Sequence, residues 1–160
     1  MITQSRLKEL LNYNSDTGVF TWIKRSGNVA GGLDKCGYIH IKVDYKIYFA
    51  HRLAWLYVYG SFPEDQIDHI NRVKDDNRFI NLRPATKSQN QMNTPIRSDN
   101  KSGHKGVSWS KTAKKWNSGI RVDGKRKHLG SFNDKSDAIL AYNSAADKYY
   151  GKFANYGVTV

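Results

Sequence analysis

Ten residues from Thr94 to Gly103, TPIRSDNKSG, are polar and turn-rich, and they separate two stretches whose apolar residues recur at strand and helix spacings. A chain of 160 residues interrupted there has room for two small units, not one large core. The expected organisation is an α+β region over residues 1–97, a linker at 98–104 and a second unit over residues 105–160.

Composition narrows the class. Hydrophobic residues make up 39% and aromatics 12%, enough for two modest cores. No apolar run approaches the roughly 20 residues of a membrane span. Residues 1–11 alternate polar and apolar side chains and lack the apolar stretch of a signal peptide. A cytoplasmic setting, in a bacterium or a phage-infected cell, is expected, with no membrane partner. The single cysteine, Cys36, excludes an intramolecular disulfide and any zinc site built on paired cysteines, so no structural zinc is expected. The net charge of +12 is uneven: residues 98–160 hold twelve Lys/Arg against five Asp/Glu, whereas residues 61–97 hold six against five. A polyanion would be held by the last third, and nucleic acid is the first partner to consider.

Before the break, periodicity predicts a helix over 5–12, a strand over 19–23, a hairpin of 38–43 with 46–50 about Asp44-Tyr45, and a helix over 51–59 stopped by Gly60. His51, at the start of that helix, is expected to be structural. The most informative stretch follows. Ile67 and Ile70 suit a strand, Asn71 to Asn77 reads as a polar loop, and Leu82-Arg83-Pro84 suits a second strand. Thr86 and Gln89 form a capping box that starts a helix containing Asn90. Two strands, a loop and a helix would gather Asp68, His69 and Asn90 at one pocket. A carboxylate and an amide carbonyl are hard oxygen donors suited to Mg²⁺ or Mn²⁺, with water and phosphate completing the shell. An imidazole with an ordinary pKa of about 6.5 is available at neutral pH to take a proton from water. These are the parts for phosphodiester hydrolysis.

Asp68-His69, Asn81 and Asn90, in the string IDHIN…DNR..NLR…SQNQMN, resemble the HNH endonucleases of phages and introns. The resemblance implies a ββα nuclease core at about 63–93 folded about one metal ion per active site. It makes Asp68 and Asn90 the metal ligands, His69 the general base and Asn81 the residue that supports the loop and orients the base. It implies cleavage of double-stranded DNA to 5′-phosphate and 3′-hydroxyl ends, one strand per active site, with a homodimer expected if both strands are cut. Many family members carry His where this chain has Asn90. Asn is the weaker ligand, and Asn93, one helical turn on, is an alternative.

Beyond the break, KGVSWS reads as a strand, and residues 115–122 and 125–132 as a hairpin about Asp123-Gly124, a strong type I′ signal. That register puts Trp116, Ile120, Val122 and Leu129 on one face and Asn117, Arg121, Arg126 and His128 on the other. A helix carrying Ala138, Ala141, Tyr142, Ala145 and Tyr149 should cover the apolar face and stop at Gly151, with Trp109 and Trp116 in the core. This pattern of GV, IR, LGSF and A..AYN.AA is similar to the Apetala/ethylene-response-factor DNA-binding domain, a three-stranded antiparallel sheet packed on one helix. Carried over by position, its DNA contacts are Lys105, Ser108, Ser110, Arg121, Arg126 and His128. Lys127 in the basic turn, and Arg72 and Arg83 beside the nuclease motif, complete the expected DNA-binding set. The rival reading is a non-catalytic, sequence-specific DNA-binding protein or transcription regulator on a decayed nuclease fold.

Overall fold

The computed structural model describes residues 1–24 and 27–157. It divides into two compact units, residues 1–90 and 91–160.

The first unit opens with helix α1 (Gln4–Leu10), capped by the Thr3 side chain on the Arg6 amide. Leu11 adopts extended backbone and starts strand β1 (Leu11–Tyr13), so the helix stops before Asn12. Strand β1 pairs antiparallel with β2 (Phe20–Trp22). Strands β3 (Gly32–Leu33), β4 (Ile39–Val43) and β5 (Lys46–Phe49) form a second antiparallel sheet. Asp44 and Tyr45 both take positive φ, 44° and 64°, which gives the β4–β5 turn the twist that a tight hairpin requires. Helix α2 (Ala50–Tyr59) follows directly and ends on Gly60 in left-handed backbone, φ 82°. Leu7, Leu11, Phe20, Ile41 and Leu53 are fully enclosed between these elements, each contributing about 1.5–3 kcal/mol of burial.

Strands β6 (Gln66–His69) and β7 (Leu82–Ala85) make a separate two-stranded ribbon. Ile67 and Leu82 anchor it in the same core. Register pairs Asp68 with Arg83 and His69 with Leu82. Pro84 is tolerated because β7 lies at the ribbon's edge. Helix α3 (Lys87–Met92) begins at a reciprocal capping box, with the Thr86 amide donating to Gln89 Oε1 at 2.9 Å and the Gln89 amide to Thr86 Oγ1 at 3.2 Å.

In the second unit, strands β8 (Val107–Ser110), β9 (Lys115–Val122) and β10 (Lys125–Phe132) form an antiparallel sheet in the order β10-β9-β8, covered by helix α4 (Lys135–Tyr150). Asp123 and Gly124 take φ of 50° and 75°, and the expected pairs Val122/Lys125, Arg121/Arg126 and Gly119/His128 all form. Gly106 is obligatory: a Cβ there would lie 2.1 Å from the Tyr142 ring and 2.5 Å from the Gly119 carbonyl.

Three expectations are corrected here. Residues 98–104 are built into the second unit, with Ser102 and His104 buried, Asn100 Nδ2 on the His104 carbonyl and the His104 ring edge-on to Tyr142. Trp109 is 47% exposed, packed edge-on against Trp116 at the sheet's end and not in the core. The buried stripe of α4 is Ala138, Tyr142, Ala145 and Ala146, so Tyr149 faces outward and Tyr150 reaches the sheet through the Arg121 carbonyl.

Candidate active site

The ββα unit places the nuclease motif by simple geometry. Side chains alternate along β6, so Gln66 and Asp68 share one face and Ile67 and His69 the other. Asp68 and His69 are 4% and 5% exposed, and neither is a surface group.

The Asp68 carboxylate meets its cross-strand neighbour. Arg83 Nε and Nη2 approach Oδ2 at 2.8 and 2.6 Å. Arg83 was expected on DNA, and instead its guanidinium is almost wholly enclosed against this carboxylate. Burying Asp68 without such a partner would cost several kcal/mol. Asn90, one turn into α3, donates from Nδ2 to Gln66 Oε1 at 2.8 Å. The amide thus docks on the strand face that carries Asp68, two residues or roughly 7 Å along. Its carbonyl oxygen is the remaining polar atom. Among the described residues no three His, Cys, Asp or Glu side chains converge on one point. The donors that suit a hard cation here are therefore one carboxylate and one amide carbonyl.

His69 is held from several sides. Nε2 lies 3.2 Å from Asn77 Oδ1, and the His51 ring stands edge-on to the imidazole with centroids 5.0 Å apart. Tyr38 is the next ring out, at 6.0 Å. Burial pulls the His69 pKa below the ordinary histidine value. The bond to Asn77 and the carboxylates of Asp68, Asp76 and Asp75 pull the other way. Burial wins, which favours the neutral imidazole a general base requires. His51 is affected more strongly: burial first, then the charges of His69, Arg52 and His40, push it down to about 3. It stays neutral at any working pH. The neighbouring Arg52 ties the start of α2 to the approach to β6 through the carbonyls of Asp65 and Pro63.

The Asn81 side chain bonds the loop backbone. Its Oδ1 accepts from the Asn71 amide at 2.9 Å, and its Nδ2 donates to the Asp76 carbonyl at 2.7 Å. It braces the 70–78 loop across its width. Asp76 completes the brace, taking Asn71 Nδ2 and the Arg78 guanidinium, and the Arg78 bond holds its pKa down at about 2. Arg72 sits in this loop with φ 68°. The residue that meets the His69 imidazole is Asn77, which the sequence presents only as part of a polar loop. Asn93 is buried, with its carbonyl accepting from Asn155 Nδ2.

In the second unit, Ser108, Arg121, Arg126, His128 and Ser131 are exposed on the sheet face opposite α4, and Ser131 bonds the half-buried Asn117 at 2.7 Å. Three expected contacts are placed otherwise. The Lys105 ammonium donates to the carbonyls of Met92 and Thr94, Ser110 Oγ accepts from the Ala113 amide in the β8–β9 turn, and Lys127 lies over the Tyr149 ring on the helix side.

Residues 48–92 match the HNH endonuclease family. The chain is 29% identical over 113 residues to Protein 3.8 of Escherichia phage T7, spanning 70% of this chain and 93% of that protein. It is 30% identical over 106 residues to an uncharacterized HNH endonuclease, L560, of Acanthamoeba polyphaga mimivirus. That match spans 65% of this chain but only about half, 54%, of the mimivirus protein. Among solved structures it is similar to the HNH homing endonuclease I-HmuI, in a study of its DNA binding and cleavage. That likeness has a TM-score of 0.45 and 21% identity, over 88% of this chain and 85% of the other. The matched family falls on the ββα ribbon and helix that hold Asp68, His69 and Asn90, and this chain is a DNA endonuclease built on an HNH domain at residues 48–92.

Proposed function

We propose that the chain hydrolyses phosphodiester bonds in double-stranded DNA with one divalent cation, Mg²⁺ or Mn²⁺, held by Asp68 and Asn90, and with His69 as general base. The observation that carries this reading is a buried imidazole, biased toward its neutral form, adjacent in sequence to a buried carboxylate and hydrogen-bonded to a neutral amide. The cation would supply charge stabilisation for the phosphate in the transition state. His69 takes a proton from water as the new oxygen–phosphorus bond forms. The bond to the 3′ oxygen breaks, leaving 5′-phosphate and 3′-hydroxyl ends, and the departing oxygen takes its proton from solvent. Arg83 has two roles open to its charge: it neutralises Asp68 in the resting protein, and it shares the carboxylate with a cation or turns to the phosphate.

Ser108, Arg121, Arg126 and His128 are proposed to hold DNA from the second unit, with Arg72 contributing near the scissile phosphate. Viral relatives support a phage or mobile-element origin, and cleavage of a homing kind is part of the proposal. A supercoiled-plasmid assay tests the proposal. Wild type should nick with Mg²⁺ and stop with EDTA, and His69→Ala should lose at least 100-fold in rate while still binding DNA. Cutting by His69→Ala at the wild-type rate would remove the mechanism.

A further inference from the structure

A neutral imidazole carries one proton, and only its other nitrogen can act as a base. Which nitrogen that is depends on what the protonated one meets. At His69 the neighbour of Nε2 is the Asn77 side chain, and the orientation of that amide is not arbitrary. Asn77 Nδ2 donates to the Asp75 carbonyl at 3.2 Å. Turning the amide over would press its oxygen against that carbonyl and its NH₂ against the imidazole. The orientation that satisfies both ends presents Oδ1, an acceptor, to His69 Nε2 at 3.2 Å. Nε2 must then be the donor.

We infer that Asn77 is a positioning residue that fixes His69 as its Nε2–H tautomer with the lone pair on Nδ1, and that the turn at residues 13–18 holds Asn77 in place to do so. This rests on the reading of His69 as the base and adds how its reactive nitrogen is selected.

Asn77 is only 2% exposed, so water does not compete for its amide. Its backbone is clamped by a segment nearly sixty residues earlier in sequence. The Tyr13 hydroxyl donates to the Asn77 carbonyl at 2.6 Å, and the Phe79 amide donates to the Ser15 carbonyl at 2.9 Å. Gly18 lies flush against this backbone. A Cβ there would come within 2.4 Å of both the Asn77 carbonyl carbon and the Arg78 nitrogen. The turn is braced by Asn14, whose Oδ1 accepts from the amides of Asp16 and Thr17. The route from sequence to reactive nitrogen therefore runs from Asn14 and Gly18 through Asn77 to Nε2. The edge-on His51 ring limits how far the imidazole can tilt.

The test reads the tautomer directly. Full-length protein with ¹⁵N-labelled histidine is examined by long-range ¹H–¹⁵N correlation at neutral pH, without metal or DNA, and nicking kinetics are measured in parallel. Wild-type His69 should show one neutral form protonated at Nε2. In Asn77→Ala the two tautomers should average, with kcat falling about 100-fold and KM for DNA changing less than about threefold. Asn77→Asp keeps an acceptor and should retain the Nε2–H form and recover at least tenfold of the lost rate. A proton on Nδ1 in the wild type overturns the inference, as does an Asn77→Ala protein with the wild-type tautomer and rate. Should Asn77→Ala fail to fold, Tyr13→Phe decides. It keeps the aromatic packing but frees the Asn77 carbonyl, and an unmoved tautomer with unchanged kcat overturns the clamp. Because the spectrum needs no catalysis, full activity in His69→Ala would sink the base assignment while leaving the tautomer result standing.

Discussion

His51 is a buried histidine whose Nδ1 has no hydrogen-bond partner among the described residues, and that has a thermodynamic consequence. Its folded pKa, about 3, lies well below the ordinary 6.5 of an unfolded chain. The unfolded state therefore binds the proton more readily. Stability conferred by keeping this ring neutral is complete above about pH 6.5 and is lost as pH falls toward 3. The slope in that window is about 1.4 kcal/mol per pH unit for each such group. His69 is lowered too and adds to the upper part of the range. The depressed carboxylates, Asp76 among them, act mainly below pH 4. Replacing His51 with Phe should flatten the urea-derived stability curve between pH 6 and 4.5 by close to one proton's worth. An unchanged slope would mean that the ring titrates normally in the folded protein.

At the scale of elements, α3 carries Asn90, the proposed metal ligand, with little to hold it. It is six residues long and contains no buried residue. A helix so short is not stable by propensity, and the capping box and the Asn90–Gln66 bond set its position. Thr86→Ala should cost about 1 kcal/mol or less in global stability. It should weaken Mn²⁺ binding, followed by calorimetry, several-fold, with nicking falling in step. Equal metal affinity in the two proteins would show that α3 is held by something else. The capping box was legible in sequence because its rule is local. The same holds for the Asp123-Gly124 hairpin, whose register follows once the turn is known. The loop between the strands was not legible to the same degree. Asn71, Asn77 and Asn81 have identical chemistry, and only the loop's path, with Arg72 at positive φ, decides that Asn77 meets the imidazole while Asn81 spans the loop. Arg83 depended on cross-strand register, which is a long-range fact. The position of Lys127 was within reach. Successive strand residues face opposite sides, so Arg126, Lys127 and His128 could not all lie on one face.

Across the whole molecule the positive charge is concentrated outside the residues of the nuclease unit, twelve Lys/Arg against five Asp/Glu over residues 98–160. Such a division predicts that DNA affinity and cutting rate respond to different substitutions. Neutralising Arg121 and Arg126 together removes two exposed cations from one sheet face and leaves the sequence of the nuclease motif unchanged. DNA binding should weaken, and the log–log dependence of affinity on salt should flatten by roughly two, one for each phosphate that the variant leaves unneutralised. At saturating DNA and fixed Mg²⁺, the nicking rate should stay within about threefold of wild type, so the defect appears in KM. Lys127→Gln is the control matched to the single Arg121→Gln: it removes one charge from the opposite side, where the ammonium lies over Tyr149. Its effect on the salt slope should be well below one. If Lys127→Gln weakened binding as much as Arg121→Gln, the polar sheet face would not be the surface that meets DNA. The charge of the unit would then act as a diffuse field, with no particular side chains assigned to particular phosphates.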